Sequence, residues 1–467
     1  NSVPGATVSF AGTAGATLTA STGTTNQSGE TTVALTSTTA GTYTVTASVN
    51  GNSMTKDVTF IPDTSTAEVT SANLIIDPDG AVASGTATNG VMATVTDGAG
   101  NPVPGISVSL GVSSGAIITP ATVTSDGNGK VTATVTSTTA GTYTVSAQAA
   151  GSSTVATKTT TFVADVTGAT IELVASDPQA SYVVGNQVVY TATARDAGGN
   201  VITGTTFNVS ASGSASTQAQ ITGVSNGVAT LYVTDTKSGT VNLTVSLQNA
   251  GTINASDSVT FIADSSTARV EEGNLVVTSD GALADLTDTN TIVATVTDQY
   301  GNIVQGVSVS FTTSALDGSG QLSYSTNGPS DSAGQVTLTL RSQSPRRFSA
   351  TPVIAGVTQA PTVAIFFAGR LSILTATQNN AAADGVETNA VTARVVFPSQ
   401  NTGVSGVTVT FRASGGGVMS EETVVTNSSG YANATLTSLT SGTVTVTASI
   451  AARTPQELTV DTTFVEP

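Results

Sequence analysis

The residues that could do acid chemistry in this chain are few and occur as close pairs in predicted turns. Asp77 and Asp79 flank a proline, and Glu421 and Glu422 are adjacent. Paired carboxylates perform glycoside hydrolysis, and the absence of His and Cys removes the commonest general base and the strongest nucleophile. Acids beside Pro and Gly usually form hydrogen bonds within a turn. The sequence therefore predicts a protein without enzymatic activity and without a cofactor.

Acidic residues also recur at the ends of repeated stretches of sequence, where they could bind calcium through hard oxygen ligands. The acids expected to approach one another across these ends are Asp63 with Asp79, Asp165 with Asp177, and Asp264 with Asp280. A full calcium site needs six or more oxygens, and the chain has no dense Asp-x-Asp run to supply them. Ordinary polar linkers are the alternative interpretation, and we predict no metal site.

The charge of the chain is sparse and unevenly distributed. The net charge is −17, with 6 basic and 23 acidic residues in 1–340 but 7 of each in 341–467. Such a balance excludes a nucleic-acid surface, which needs clustered Lys and Arg. Arginine binds carboxylates or anionic glycans through paired hydrogen bonds, and ordinary arginines that cover sheet edges are the alternative. The hypothetical partner-binding patch consists of Arg341, Arg346, Arg347 and Arg370.

An internal repeat organises the elements that must position these residues. The group Val-Pro-Gly-x-x-Val-Ser-Phe at 3–10 returns at 103–110, with Leu in place of Phe, and in looser form from Ile202, Val304 and Val404. A repeat of roughly a hundred residues indicates domains in series. We call them modules 1 to 5, with predicted bounds 1–67, 68–168, 169–267, 268–369 and 370–467. Module 1 is predicted to be partial, without the N-terminal strands of the others.

Alternating apolar residues within each module indicate β-strands. Val131, Ala133 and Val135 alternate with Thr, which is the period of a strand with one buried face. Turn clusters rich in Asp, Gly and Asn separate the runs. The sequence thus predicts an all-β chain of tandem immunoglobulin-like sandwiches, but without the marker Cys and Trp it leaves the strand order open.

Short links between modules predict an elongated, stiff rod. Segments such as Asp-Thr-Ser-Thr-Ala at 63–67 are too short to behave as flexible Gly/Ser linkers. The fourth link, at 367–371, lacks even this polar spacer. We therefore predict the tightest interface between modules 4 and 5.

These residues resemble the bacterial immunoglobulin-like (Big-1) domains of the intimin and invasin family, the inverse autotransporters. The resemblance rests on the Asp-x-x-Gly-Asn-Pro-Val-Pro-Gly-x-x-Val motif at 97–108, the turn at 126–129 and the closing Phe-Val-Ala-Asp at 162–165. It is weaker in modules 3 and 5. It implies a stalk exposed on the bacterial outer membrane, anchored by an N-terminal barrel that lies outside this sequence.

The resemblance implies an extracellular stalk that projects an adhesin and contributes to attachment to host cells or surfaces. A host receptor or glycan is the implied partner. Two alternatives remain open: a self-associating surface protein that promotes aggregation or biofilm, and a non-catalytic spacer of a secreted polysaccharide-acting enzyme. Exposed aromatic residues would favour the spacer, but aromatics make up only 4% of the chain and Trp is absent.

Overall fold

The computed structural model describes residues 1–320 and 322–467 and consists almost entirely of β-strands. Two single turns of 3₁₀ helix, Thr64–Thr66 and Ser265–Thr267, each follow an aspartate that accepts a hydrogen bond from the turn. In the described residues we find no helix with the length and apolar character to cross a membrane. The pairs of packed, mainly antiparallel sheets confirm the predicted immunoglobulin-like architecture.

Module 2 shows the complete sandwich. Its two four-stranded sheets have the orders β10-β12-β8-β7 and β11-β9-β13-β14. Alternate residues of β12 and β13 point into the space between the sheets, because successive side chains of a strand face opposite sides. The strands of module 2 are β7 (Leu74–Ile76), β8 (Asn89–Thr94), β9 (Ser107–Val112), β10 (Ala116–Thr119), β11 (Thr122–Thr124), β12 (Lys130–Ser137), β13 (Gly141–Ala149) and β14 (Ala156–Phe162).

Module 3 has the same two layers, with sheet orders β15-β17-β20-β19 and β16-β22-β21-β18. After β15 the chain crosses from the first sheet to the second, where β16 runs parallel to the last strand, β22. The strands of module 3 are β15 (Thr170–Ala175), β16 (Tyr182–Val183), β17 (Val188–Arg195), β18 (Phe207–Ser212), β19 (Gln218–Ser225), β20 (Val228–Thr234), β21 (Gly239–Leu247) and β22 (Ala250–Ile262).

Module 4 is built on sheets of order β23-β24-β27-β26 and β25-β28-β29, and a further strand, β30, pairs with β28. Its sandwich encloses a separate apolar core that includes Phe311, Leu338 and Phe348. The strands of module 4 are β23 (Leu275–Ser279), β24 (Asn290–Thr295), β25 (Val309–Ala315), β26 (Leu322–Thr326), β27 (Gln335–Ser342), β28 (Arg347–Ile354), β29 (Val357–Thr358) and β30 (Val363–Phe366).

Module 5 pairs a four-stranded sheet, β31-β33-β37-β35, with a five-stranded sheet, β32-β39-β38-β34-β36. As in module 3, a short strand, β32, lies parallel to the last strand, β39. The strands of module 5 are β31 (Arg370–Gln378), β32 (Ala381–Ala382), β33 (Asn389–Val396), β34 (Thr408–Ala413), β35 (Gly417–Met419), β36 (Thr423–Val425), β37 (Tyr431–Ser438), β38 (Gly442–Ile450) and β39 (Gln456–Val465).

Module 1 has one four-stranded sheet, of order β3-β1-β5-β6, and a ladder of β2 with β4. Among the hydrophobic side chains of residues 1–61 only Tyr43 is buried, because no strands equivalent to β7 and β8 cover this face. The strands of module 1 are β1 (Thr7–Gly12), β2 (Thr17–Leu18), β3 (Thr22–Thr24), β4 (Leu35–Thr36), β5 (Gly41–Val49) and β6 (Asn52–Phe60).

A buried asparagine ties the two sheets together in modules 2, 4 and 5. Asn89, Asn290 and Asn389 are each fully buried at the start of the second strand. In module 4 the Asn290 Oδ1 atom accepts from the Ala282 N–H at 2.9 Å, and its Nδ2 atom donates to the Phe366 carbonyl at 2.8 Å. The side chain therefore joins the crossing segment to the last strand where backbone pairing is incomplete.

Candidate functional site: the joints between modules

The acid pairs that were the only catalytic candidates lie in ordinary surroundings, with Asp79 hydrogen-bonded to the last strand of its module and the two glutamates exposed. The Asp79 Oδ1 atom accepts hydrogen bonds from Thr160 Oγ1 and from the Thr161 N–H, both at 2.8 Å. Burial alone would raise the pKa of Asp79, but these hydrogen bonds outweigh it and lower the pKa. A general acid for glycoside hydrolysis needs the opposite shift. Glu421 and Glu422 are exposed on the surface.

The acids that meet across the module ends are not the expected ones. Asp63 meets Asp97 of module 2 rather than Asp79, since the Asp63 N–H donates to Asp97 Oδ2 at 3.1 Å. Asp165 and Asp264 approach Asp196 and Asp298 in the same way, at 3.2 and 3.0 Å. The described residues contain no group of three or more His, Cys, Asp or Glu that could hold a metal ion.

These carboxylates instead belong to a hydrogen-bonded joint that we call the latch. In the first joint the Asn101 Oδ1 atom accepts from the Ala40 N–H at 2.8 Å, and its Nδ2 atom donates to the Thr38 carbonyl at 2.9 Å. Both partners lie in the turn between β4 and β5 of module 1. Asn101 therefore replaces the backbone partner that this turn lacks within its own module.

Asp97 holds Asn101 in position for this contact. The Asp97 Oδ1 atom accepts from the N–H groups of Ala99 and Asn101 at 2.9 and 2.8 Å, and Oδ2 accepts from Asn101 Nδ2 at 2.8 Å. Burial alone would raise the pKa of Asp97, but the hydrogen bonds from Asn101, Asp63 and Ala99 lower it. The carboxylate thus remains charged and aligns the asparagine.

The latch recurs at the next two joints with the same donors and acceptors. At the second joint Asn200 accepts from the Ala140 N–H at 2.9 Å and donates to the Thr138 carbonyl at 3.1 Å. At the third joint Asn302 accepts from the Ser238 N–H at 2.9 Å and donates to the Thr236 carbonyl at 2.8 Å. Three successive joints therefore share one orientation-fixing contact.

The fourth joint lacks the latch on both sides. Counted back from the buried Tyr143 and Phe348, Pro345 takes the position of Ala140, and proline has no N–H to donate. On the module 5 side Phe397 replaces the aspartate, because the Phe397 N–H donates to the Thr402 carbonyl as the Asp97 N–H donates to that of Asn101. The loop there is also one residue longer before Val404.

A different contact joins modules 4 and 5. Arg453, in the loop between β38 and β39, forms a salt bridge with Asp288 and donates through Nη1 to the Thr289 carbonyl at 2.7 Å. The Arg453 N–H donates to the Gly281 carbonyl at 2.8 Å. Gly281 has a positive φ of 74°, and a Cβ atom there would lie 2.7 Å from the Arg453 nitrogen. The close approach of the two backbones therefore requires glycine.

Replacing Arg453 with Ala is expected to loosen the fourth joint without unfolding either module. The variant loses the salt bridge to Asp288 and the side-chain hydrogen bonds to Thr289 and Ser279, while the core of module 5 is untouched. Small-angle scattering of residues 268–467 should show a broader distribution of interdomain distances. Arg412→Ala, on the exposed face of β34, is the matched control. An unchanged distribution in Arg453→Ala would refute this role.

The structure separates the four arginines of the predicted patch. Arg346 and Arg347 line a cleft between modules 4 and 5, whereas Arg341 and Arg370 do not. Arg341 lies on β27 among the residues that face away from the core, and Arg370 opens β31, where it pairs with Val396. Arg453, which reaches across the joint, was not predicted. Its position in a loop of module 5 gave no sequence signal.

The chain matches a family model, a sequence relative and solved structures. The model described as bacterial Ig-like domain (group 1) matches residues 1–61, 71–163, 272–367 and 371–465. The inverse autotransporter adhesin YeeJ of Escherichia coli (strain K12) is 30% identical over 443 residues, which is 91% of this chain but 18% of that protein. The chain therefore spans less than a fifth of that relative.

Two of the solved structures that match the chain are bacterial proteins. The crystal structure of invasin, a bacterial integrin-binding protein, matches with a TM-score of 0.41 and 21% identity, over 84% of this chain and 78% of that chain. The Escherichia coli adhesin FdeC matches with a TM-score of 0.45 and 22% identity, over 67% of this chain and 100% of that chain.

Proposed function

Because the chain belongs to the family of bacterial Ig-like domains of group 1, as the sequence resemblance led us to expect, we propose that it is part of the extracellular stalk of an outer-membrane adhesin. The repeated latch carries this proposal. Three joints with the same contact hold successive modules in one relative orientation, so that length is added module by module. Such a series can carry an adhesive end away from the bacterial surface.

The proposed partner is a receptor or glycan on a host cell or other surface. All five modules carry net negative charge, −2, −4, −4, −4 and −3 in order, so that net charge does not distinguish one end from the other. Modules 4 and 5 nevertheless hold eight of the 13 basic residues, and Arg346 and Arg347 line a cleft between them. Contact with a partner is therefore proposed for the end formed by these two modules.

Deleting residues 68–268 tests the stalk function. The deletion joins Ala67 to Arg269, so that the link 63–67 takes the place of the similar link 264–268. Asn302 can then form its latch with the turn of module 1 that contains Ala40. Bacteria that display the shortened protein are expected to bind host cells less than bacteria with the full series, because the binding end lies closer to the outer membrane.

The matched control restores the number of modules but not the original sequence of module 3. A second copy of module 2 in place of module 3 keeps the number of modules and should recover attachment. Flow cytometry with an antibody to module 5 measures display, and counts of attached bacteria measure binding. Equal attachment by the shortened and full-length forms at equal display would contradict the stalk function.

A further inference from the structure

A cleft of about 570 Å³ lies between modules 4 and 5, in the size range of ligand sites. Module 4 contributes the loop after β25 and the turn between β27 and β28, and module 5 contributes the segment before β34. The polar residues that line the cleft include Asp317, Arg346, Arg347, Ser405 and Thr408.

The cleft lies at the joint without the latch and is larger than the space of about 160 Å³ beside the latch of the first joint. At the first three joints the Asp-Asn loop of one module lies on the turn of the preceding module through direct hydrogen bonds. At the fourth joint Pro345 and Phe397 prevent this contact. Arg453 instead joins the modules through Gly281, Asp288 and Thr289, none of which lines the cleft. The turn that the latch would cover therefore borders open space.

This turn presents positive charge to the cleft. Arg347 is exposed, and within the described part of the chain its guanidinium group has neither a hydrogen bond nor a carboxylate within 4.0 Å. Arg346 donates through Nη1 to the Asp317 carbonyl. The equivalent positions in module 2 are Gly141 and Thr142, which carry no charge. The two arginines therefore give this turn a charge that the equivalent turn of module 2 does not have.

Asp317 supplies the complementary chemistry beside them. Its Oδ2 atom accepts from the Arg347 N–H at 3.3 Å, which leaves the carboxylate at the border of the cleft. A guanidinium group only donates hydrogen bonds and a carboxylate only accepts them. A ligand with an anionic group and neighbouring hydroxyl groups can therefore bond the arginines through the anion and Asp317 through the hydroxyl groups. An acidic peptide fits this site less well than such a ligand, because its run of carboxylates would place further negative charge against Asp317.

We propose that the cleft between modules 4 and 5 binds a carboxylated saccharide, with Arg347 and Arg346 bound to the sugar carboxylate and Asp317 accepting from its hydroxyl groups. Ser405 and Thr408 offer further hydroxyl groups from the module 5 side. The site goes beyond the stalk function, since isolated protein can bind the saccharide whether or not the chain projects from a membrane.

Isothermal titration of residues 268–467 and of the full chain tests the site. The probes are sialyllactose and a hyaluronan tetrasaccharide, with lactose as the uncharged control and Gly-Glu-Glu-Gly as the acidic peptide. At least one carboxylated sugar should bind with a dissociation constant of about 1 mM or tighter. Lactose and the peptide should both bind more weakly than that sugar. Absence of binding by both carboxylated sugars, or equal binding by lactose or by the peptide, overturns the proposal.

Two variants act on the cleft by different routes. Arg347→Gln removes the unpaired guanidinium and should weaken sugar binding by about tenfold, the loss of one charge-assisted pair. Ser405→Trp places a large side chain in the cleft from an exposed loop position and should abolish sugar binding. Arg341→Gln, on the outer face of β27, should bind normally. Unchanged affinity in both cleft variants, with melting temperatures equal to that of the parent chain, overturns the assignment.

Discussion

Replacing Asp298 with Ala is expected to release module 4 from module 3. Asp298 is fully buried, and its carboxylate accepts from the N–H groups of Tyr300 and Asn302 at 2.8 and 2.9 Å and from that of Asp264 at 3.0 Å. Hydrogen bonds to a charged group are each worth about 1.5 to 3 kcal/mol. Their loss also frees Asn302 from the position in which it bonds the turn containing Ser238. We expect the third joint to become flexible.

Distances between spin labels measure this release directly. The chain has no Cys, so that Val224→Cys in module 3 and Val276→Cys in module 4, both at exposed positions, provide the only two labels. The distance distribution should be narrow in the parent and broad in Asp298→Ala. Asp331→Ala is the matched control, because Asp331 forms the same kind of turn and accepts from the N–H groups of Ala333 and Gln335 of its own module. A narrow distribution in Asp298→Ala would rule out the latch.

Acid should have the same effect as the substitution. Burial alone would raise the pKa of Asp298, but hydrogen bonds from Asn302, Asp264 and Tyr300 outweigh it and lower the pKa. A lowered pKa means that the carboxylate stabilises the joint above the ordinary pKa of about 3.9 and loses this effect as the pH falls towards the lowered value. The label distribution should therefore stay narrow at pH 5 and broaden only well below pH 4.

The fold was predictable because strand alternation and turn composition recur in every module. Val131, Ala133 and Val135 lie in β12 with their side chains in the core, as the alternation predicts. The fold class could be predicted without the strand order, which the sequence leaves open. The short parallel strand in modules 3 and 5 depends on tertiary pairing with the last strand, and a run of two residues such as Tyr182–Val183 has no pattern of its own.

The latch was only half predictable. The Asp-x-x-Gly-Asn motif at 97–101 is visible as a recurring turn, but the partners of Asn101 are a backbone N–H and a carbonyl of another module, which any residue type supplies. The expected approach of Asp63 to Asp79 was wrong for a related reason. Asp97, in the loop after β8, lies at the end of module 2 that meets Asp63. Asp79 instead accepts from Thr161 in the last strand, β14. The positions of these acids along the sequence do not show at which end of the module each one lies.

The fourth joint shows how a single backbone group can decide an interface. The sequence predicts a tight contact from the absence of a polar spacer, but the structural difference lies in Pro345, which has no donor, and in Phe397, which has no carboxylate. The contact then shifts to Arg453 on another loop. The joint without the latch thus has both the Arg453 contact and the larger, arginine-lined cleft.

Replacing Asn290 with Leu is expected to destabilise module 4 by about 3 kcal/mol. Leucine is similar in size but leaves the buried Ala282 N–H without its acceptor and removes the donor to the Phe366 carbonyl. Module 3 has Val188 at the equivalent position, and the backbone hydrogen bond between its crossing segment and last strand, from the Val184 N–H to the Ile262 carbonyl at 3.0 Å, has a counterpart in module 4 from the Ala284 N–H to the Ala368 carbonyl at 3.1 Å. Asn290 therefore acts on a different backbone group, the Ala282 N–H.

Calorimetry of the full chain tests this prediction, because modules in series unfold largely as separate units. A loss of 3 kcal/mol corresponds to a fall of roughly 12 to 24 °C in the melting temperature of a domain of this size, and only the transition of module 4 should move. Asn433→Leu, at an exposed position on β37, is the control and should change stability by less than about 0.5 kcal/mol. If Asn290→Leu left every transition in place, the asparagine would not hold the two sheets of module 4 together.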